Sequence, residues 1–361
     1  MRKIYIIIVV LMSFNINAQD TNQNYTKKIT YKDSTNGNSV DVSNPAQAVV
    51  EVVYYDGLGR PIQQIAHKQS NTGKDIVSHM EYDIHGRQVK EFLPYVSSGA
   101  SLSYIPSTQS DVFNFYSSPS FSVTGNPDFE ATSNPYSEKE LENSPMSRVF
   151  KQAAPGNDWV MGSGKEIKFE YTTNEGSGSE AVKLYTANAV WDNSLGLFDI
   201  DLVQNGNYGA NQLYVTTTKD ENWKSTDLKN NTTEEFKDKG GKVVLKRTYN
   251  NGDPHETYYV YDQFGNLTYV IPPLANGSTI NLDDMCYQYK YDYRNRLVEK
   301  KLPGKQWEYI VYNTQDMPVA TGPAYNPWGA SSEADTGWLI TKYDAFGRVV
   351  YTGWYTGYGV N

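Results

Sequence analysis

The sequence predicts an all-β (mainly β) chain built as an array of β-hairpins, with one or two short helices in an insertion. Three observations predict it. A hexapeptide beginning Tyr-Asp recurs five times, with two weaker copies. Its flanks alternate aromatic and polar residues with the period of a strand. The chain is 39% hydrophobic and 14% aromatic, with 30 Tyr, so aromatic side chains must supply much of the core. Repetition at roughly 20–50 residues marks arrays in which each unit buries its face on the next.

In chain order, the first segment stands outside the fold. Arg2 and Lys3 precede an apolar run from Ile4 to Met12, and Ala18 is a small residue suited to cleavage. Residues 1–18 read as a secretory signal peptide, too short to span a bilayer. The mature chain then begins near Gln19 and is exported, to the extracellular space, the cell surface or the periplasm. No Cys follows the apolar run, which argues against a lipid anchor there. No later stretch reaches the length of a transmembrane helix. Residues 19–43, rich in Asn, Thr, Ser and Asp, read as a flexible linker.

Residues 44–235 form an N-terminal β domain. Ala48–Tyr55, apolar and β-branched, is its first strand. Residues 99–165 break the rhythm with Ser, Pro, Asn and Gly and read as an insertion. Ser137 caps a run of Glu, Lys and Leu and predicts one helix there. A second short helix is expected over 147–153. Strands return at Glu166–Thr172, Glu180–Ala189 and Gln212–Thr218. Residues 236–361 carry the array, with copies beginning at 236, 261, 291, 312 and 343.

The repeated block fits a tight turn. The strong copies hold Tyr55, Asp56, Gly59 and Arg60; Tyr82, Asp83, Gly86 and Arg87; Tyr261, Asp262 and Gly265; Tyr291, Asp292, Asn295 and Arg296; and Tyr343, Asp344, Gly347 and Arg348. Asp opens a type I turn because its carboxylate accepts a backbone N–H two residues on. Three places later comes Gly, Asn or Asp, the residues that best tolerate positive φ. In the weak copies Gly240 and Asp316 take that place. A type I turn followed by a left-handed residue is a hairpin connection. Pro94, Pro273 and Pro303 each lie twelve residues after a motif Tyr and stop the return strand. The Arg after the turn is placed to pair back to the Asp. The tyrosines form either a layer of core residues or a row of sugar-stacking rings.

Other candidate chemistry is sparse. Net charge is −9, which argues against non-specific nucleic-acid binding and against an anionic membrane surface. The four histidines, His67, His79, His85 and His255, have no metal-ligand spacing. Gly162-Ser163-Gly164-Lys165 mimics the end of a phosphate loop but lacks its first Gly and its Ser or Thr. Asp283-Asp284 is an adjacency expected by chance among 41 acidic residues. Cys286, the single cysteine, forms no intrachain disulfide and reads as a small buried residue. These residues present no catalytic, metal or cofactor set.

Tyr-Asp, two variable residues, Gly-Arg and an apolar strand resemble the YD-repeat or RHS-repeat family. Tyr55 to Pro61, with Ser144-Pro145, Arg148-Val149, Pro155-Gly156 and Trp159, resembles the domain of unknown function that heads many secreted bacterial RHS-repeat proteins. The resemblance implies hairpins forming a curved or spiralling sheet that can close into a shell around a C-terminal toxin, or mediate contact between cells. It implies a secreted, non-catalytic scaffold, the N-terminal part of a surface or toxin-delivery protein. Its implied partners are a C-terminal effector or further RHS repeats. The chain departs from the family in having few repeats, with no RHS core motif or effector domain before Asn361. A fragment, a truncated gene and a short stand-alone member all fit. The competing reading is an extracellular carbohydrate-binding module that stacks cell-surface glycans on Trp307, Trp328, Trp338 and Trp354.

Overall fold

The computed structural model describes residues 22–32, 40–118, 130–277, 280–325 and 336–356. The signal segment 1–18 and Trp328 lie outside these residues. The fold is mainly β, in open antiparallel sheets. It divides into two compact units, Met1–Ile167 and Lys168–Asn361. The boundary expected at 235/236 falls inside a strand.

The first unit runs β1 (Asn24–Tyr31), β2 (Ala48–Tyr55), β3 (Pro61–Ala66), β4 (Ile76–His79), β5 (Lys90–Phe92), β6 (Tyr95–Val96), α1 (Thr108–Ser117), β7 (Tyr136–Leu141) and β8 (Val149–Ala153). One sheet has the order β1-β2-β3-β4-β6, while β7 pairs with both β5 and β8. β2 alternates strictly. Ala48, Val50, Val52 and Tyr54 are buried, and they pack with Ile65, Val77 and Phe92. α1 closes this core with buried Val112 and half-buried Phe113, Phe115 and Tyr116. Each fully buried side chain of this kind stabilises the unit by about 1.5–3 kcal/mol.

Three expectations are corrected here. The segment 19–43 holds β1, which pairs along its length with β2. β1 is almost wholly exposed, so it carries none of the apolar pattern that reveals a strand. The helix expected from Ser137 is β7, and the helix expected over 147–153 is β8. Glu and Lys there favour a helix only weakly, and tertiary pairing overrides that preference. Lys139 pairs with Glu91 of β5 at 2.6 Å and Lys151 with Glu140 at 2.7 Å, across strands. The insertion's long helix is α1, which the sequence left unassigned.

From the boundary come β9 (Ile167–Thr173), β10 (Lys183–Asp192), β11 (Leu197–Asn207), β12 (Tyr214–Lys219), β13 (Thr232–Lys237), β14 (Val243–Asn250), β15 (Asp253–Tyr261) and β16 (Leu267–Ile271). After the short helix α2 (Leu282–Met285) follow β17 (Tyr287–Tyr291), β18 (Leu297–Lys301), β19 (Trp307–Tyr312), β20 (Pro318–Tyr325), β21 (Thr336–Tyr343) and β22 (Val349–Tyr355). β9 pairs with β12, and from β12 to β22 each strand pairs antiparallel with the next. β10 and β11 form a separate hairpin that lies over the sheet. Its Tyr185, Ala187, Ala189 and Ile200 meet Leu245, Tyr258, Val260, Tyr269 and Ile271 in one core. Leu245, Tyr258 and Ile271 sit opposite one another across β14, β15 and β16, so one face of the array is the core face.

Candidate functional site

The turns are built as small hydrogen-bond cages. Asp56 Oδ1 accepts the backbone N–H of Leu58 and of Arg60, both at 2.9 Å, and Oδ2 accepts Arg60 Nε at 2.7 Å. The backbone closes from Asp56 N–H to Arg60 O at 2.9 Å and from Gly59 N–H to Asp56 O at 3.0 Å. Asp83 with Arg87, Asp292 with Arg296 and Asp344 with Arg348 make the same set. At Asp262 the side-chain partner is the Asn266 amide, at 3.0 Å. Asn313 serves the weak copy, accepting from Gln315 and Met317. The fourth position is left-handed throughout, from φ +57° at Asn295 to +91° at Gly265. Backbone N–H donation from Arg60, Arg87 and Arg348 holds Asp56, Asp83 and Asp344 below the usual carboxylate range. For Asp292 burial acts upward, but the Arg296 side chain and backbone N–H outweigh it and the carboxyl is also lowered.

One copy is reframed by the structure. Asp238, not Lys237, opens the turn after β13, and Gly241 at φ +83° takes the left-handed place expected of Gly240. The carboxylate that accepts the turn's N–H groups sets the frame, and the aromatic Phe236 lies two residues before it instead of one. A further copy was missed. In the β7–β8 hairpin, Glu142 N–H bonds Arg148 O at 2.7 Å, and the Arg148 guanidinium grips the Glu142 carboxylate at 2.6 and 2.9 Å. Ser147, at φ +49°, is its left-handed residue. The acid-to-arginine spacing is longer here and Glu replaces Asp, which hid the turn from a Tyr-Asp search.

The motif tyrosines link one hairpin to the next. Where the turn joins two paired strands, the return strand begins with a bulge: Tyr261 faces Leu267 and Val260 faces Tyr269, leaving Thr268 as the extra residue. The same shift follows Tyr55, Tyr291, Tyr312 and Tyr343. The carbonyl of the first residue after a turn accepts the hydroxyl of the next motif Tyr. Tyr82 donates to Pro61 at 2.9 Å, Tyr261 to Val243 at 3.1 Å and Tyr291 to Leu267 at 2.7 Å. Tyr312 donates to Leu297 at 2.9 Å and Tyr343 to Pro318 at 2.9 Å. At three turns that end in a cation, that cation also covers the next ring. Arg60 lies 4.5 Å from the Tyr82 centroid, Lys242 5.0 Å from Tyr261 and Arg296 4.7 Å from Tyr312. The left-handed glycines leave room for it, since a Cβ on Gly86 would lie 3.1 Å from Arg60 Nη1 and one on Gly265 2.6 Å from Lys242 Nζ. The repeated choice of Tyr over Phe was the available signal for this ladder.

A second cluster lies within the array. Arg247, 1% exposed, faces Glu234 on β13 and Glu256 on β15. It donates to Glu256 at 2.6 Å, to Glu180 at 2.9 Å and to Glu234 at 3.4 Å. Lys229 meets Glu180 at 2.6 Å. Tyr249 bonds Glu234 and Tyr258 bonds Glu256. Burial acts against the Arg247 charge, yet Glu256 and its neighbours hold it protonated. Each carboxylate is occupied by a cation or a phenol. The arrangement ties the segment leading into β10 to the sheet and leaves no free acid–base pair.

The aromatics proposed as sugar platforms do not all lie on one face. Trp307 and Trp338 share a face with Tyr309, which stacks on Trp338 at 6.4 Å. Trp354 is opposite Leu339 and therefore on the other face. An open groove of about 850 Å³ crosses the Trp338 face, floored by Val311, Ala320 and Ile340 and edged by Asn313 and Lys342. The phosphate-loop mimic is filled by its own chain, since the Glu166 carboxylate accepts from Gly162 and Gly164 N–H. His67 pairs with Asp75 at 2.8 Å and His79 with Thr108 at 2.9 Å. Among the described residues no group of three or more His, Cys, Asp or Glu could hold a metal ion. No helix among them is long and apolar enough to cross a membrane. Cys286 is buried, and burial pushes its thiol up to about 11.

Fold and ladder together define an open antiparallel array of stitched hairpins. A family model described as a domain of unknown function (DUF6443) matches residues 27–173. No curated protein matches the chain. Among solved structures, a crystal structure of TcdB2-TccC3-TEV matches with a TM-score of 0.48 and 14% identity over 87% of this chain. One of TcdB2-TccC3 matches at 0.48 and 16% over 87%, and a Photorhabdus luminescens Tc holotoxin pore at 0.47 and 15% over 88%. This chain spans 13% of the length of each of those chains.

Proposed function

We propose that the chain is a segment of a secreted, non-catalytic structural scaffold of the RHS or YD-repeat kind, serving a surface or toxin-delivery protein whose effector lies on further sequence. The ladder carries this reading. Successive hairpins are joined by the same hydroxyl-to-carbonyl bond, a device that propagates a sheet and performs no chemistry. The charged residues that look most like a catalytic set, Glu180, Glu234 and Glu256, are committed to Arg247, Lys229 and the neighbouring phenols. The expected partner is therefore a polypeptide held or displayed by the array.

The test combines export with activity. The chain expressed in a Gram-negative host is expected outside the cytoplasm, with a mature terminus near Gln19. The purified protein is expected to turn over no glycoside, ester or peptide substrate. Hydrolysis that disappears on Glu180→Gln, Glu234→Gln or Glu256→Gln, with the melting temperature unchanged, would overturn the reading.

A further inference from the structure

We infer that Lys183 and Asn276 become joined by an amide bond between their side chains, which the folded protein makes for itself with Glu256 carrying the proton. The inference does not depend on the scaffold reading. All the residues concerned lie in the second unit. Lys183 opens β10, on the hairpin that lies over the sheet, and Asn276 follows β16 and the short turn Pro273–Ala275. Lys183 Nζ donates to Asn276 Oδ1 at 2.7 Å. Asn276 Cγ is one C=O bond further on, and so within about 4 Å of the amine. The Tyr185 hydroxyl donates to the same oxygen at 3.1 Å, and Asn276 Nδ2 donates to Glu256 Oε2 at 3.2 Å. Two donors on one side and a carboxylate on the other decide which amide atom is oxygen and which is nitrogen.

The amine's surroundings separate this contact from an ordinary ion pair. Among the described residues the Lys183 amine bonds an amide and pairs with no carboxylate. A paired acid would hold it charged, and only a neutral amine attacks. The rings of Tyr185 and Tyr258, both buried, pack edge to face beside it at 5.0 Å. Tyr258 donates to Glu256 Oε2 at 3.0 Å, and Arg247 holds Glu256 Oε1 at 2.6 Å, so the carboxylate is fixed against the amide.

The step balances without a co-reactant. The lysine, having lost a proton to solvent, attacks Asn276 Cγ, and the C=O electron pair moves onto Oδ1, where Tyr185 donates. Burial, with the Glu256 charge, pushes the Tyr185 phenol up to about 12, so it keeps that proton. In the tetrahedral adduct Nζ and Nδ2 are both bonded to Cγ. Glu256 Oε2, already on Nδ2, takes the proton from Nζ and passes it to Nδ2. The bond from Cγ to Nδ2 breaks, the carbonyl re-forms and ammonia leaves. The new amide closes a loop across 93 positions of the chain. It pins the β10–β11 hairpin to the sheet as a disulfide would, in a chain whose single cysteine can make none within it.

The test is a tryptic digest of the purified full chain, sequenced by tandem mass spectrometry. A branched peptide is expected, one ammonia lighter than its two parts, joined from Lys183 to Asn276 and uncut after Lys183. Lys183→Arg and Glu256→Gln should each abolish the branch. Tyr185→Phe should slow its formation about a hundredfold, the cost of one lost oxyanion donor. Loss of the closed loop in Lys183→Arg should lower the melting temperature by about 10 °C. The wild-type digest decides by itself, whatever the stability of the variants. Cleavage after Lys183 with both peptides at full mass would overturn the proposal. So would an ammonia loss at Asn276 that leaves Lys183 free, which marks ring closure onto the following Gly277. A branch that forms at the wild-type rate in Glu256→Gln would overturn it too. Each of those results leaves the scaffold reading standing, since that reading falls only to enzymatic turnover or to failed export.

Discussion

Tyr291→Phe is the cleanest way to weigh one rung. The preceding turn ends in Asn266, so no cation covers this ring, and the substitution removes only the hydroxyl that donates to Leu267 O at 2.7 Å. A hydrogen bond of this kind contributes about 0.5–1.5 kcal/mol net. An orphaned buried carbonyl would add about 1–3 kcal/mol. Leu267 is only half-buried, so water can replace part of the lost bond. The expected cost is therefore about 1–1.5 kcal/mol. For a unit the size of Lys168–Asn361, that lowers the melting temperature by about 2–5 °C. The assay is thermal unfolding followed by circular dichroism, with Tyr293→Phe as control. Tyr293 is 65% exposed and, among the described residues, its hydroxyl bonds only Arg294 beside it, while its ring contact with Trp191 survives in Phe, so its change should be within about 0.5 kcal/mol. Equal melting temperatures for wild type and Tyr291→Phe would refute the reasoning.

Three further outcomes follow from the same geometry. Gly265→Val places a β-branched residue at φ +91° with its Cβ against Lys242, and should cost at least about 2 kcal/mol in urea unfolding. Gly57→Ala, at a position without positive φ and with open space around it, should cost little. Arg247→Ala takes the cation from Glu256 and one of two cations from Glu234, and should cost about 3 kcal/mol, the low end for a broken buried pair because Lys229 and the phenols remain. pH should act at both ends of the range. Lowered carboxyls at Asp56, Asp83, Asp292 and Asp344 contribute stability that is complete above about pH 4 and lost as pH falls further. Burial pushes the Tyr291 and Tyr269 phenols up to about 12, so their contribution is complete below about pH 10 and lost as pH rises toward 12. Circular dichroism against pH, with phenolate absorbance in parallel, checks both limbs.

What the sequence revealed follows from which physical signals are local. The turn was readable because Asp, the left-handed residue and the returning Arg lie within five consecutive positions. Ala48–Tyr55 was readable because one face of β2 is buried and the other is not. β1 was invisible because an exposed outer strand carries no such alternation. β7 was misread because local helix preference points one way and pairing with β5 and β8 the other. α1 escaped because its apolar positions sit among Ser, Asn and Asp, and only the core of the first unit shows what Val112 and Phe113 are for. The tyrosine ladder was half readable. Repetition fixed the residue, but its acceptor is a backbone carbonyl, which leaves no mark in the sequence. The Arg247 cluster needed the register of three strands before Glu234, Arg247 and Glu256 could be seen to face one another.

Amide hydrogen exchange on the series Tyr261→Phe, Tyr291→Phe, Tyr312→Phe and Tyr343→Phe tests the stitched array most directly. Each substitution cuts a bond between two hairpins, so exchange should quicken in the altered hairpin and in the one before it. For Tyr291→Phe that means β15–β16 as well as β17–β18. Faster exchange confined to the substituted hairpin, at all four positions, would contradict the account.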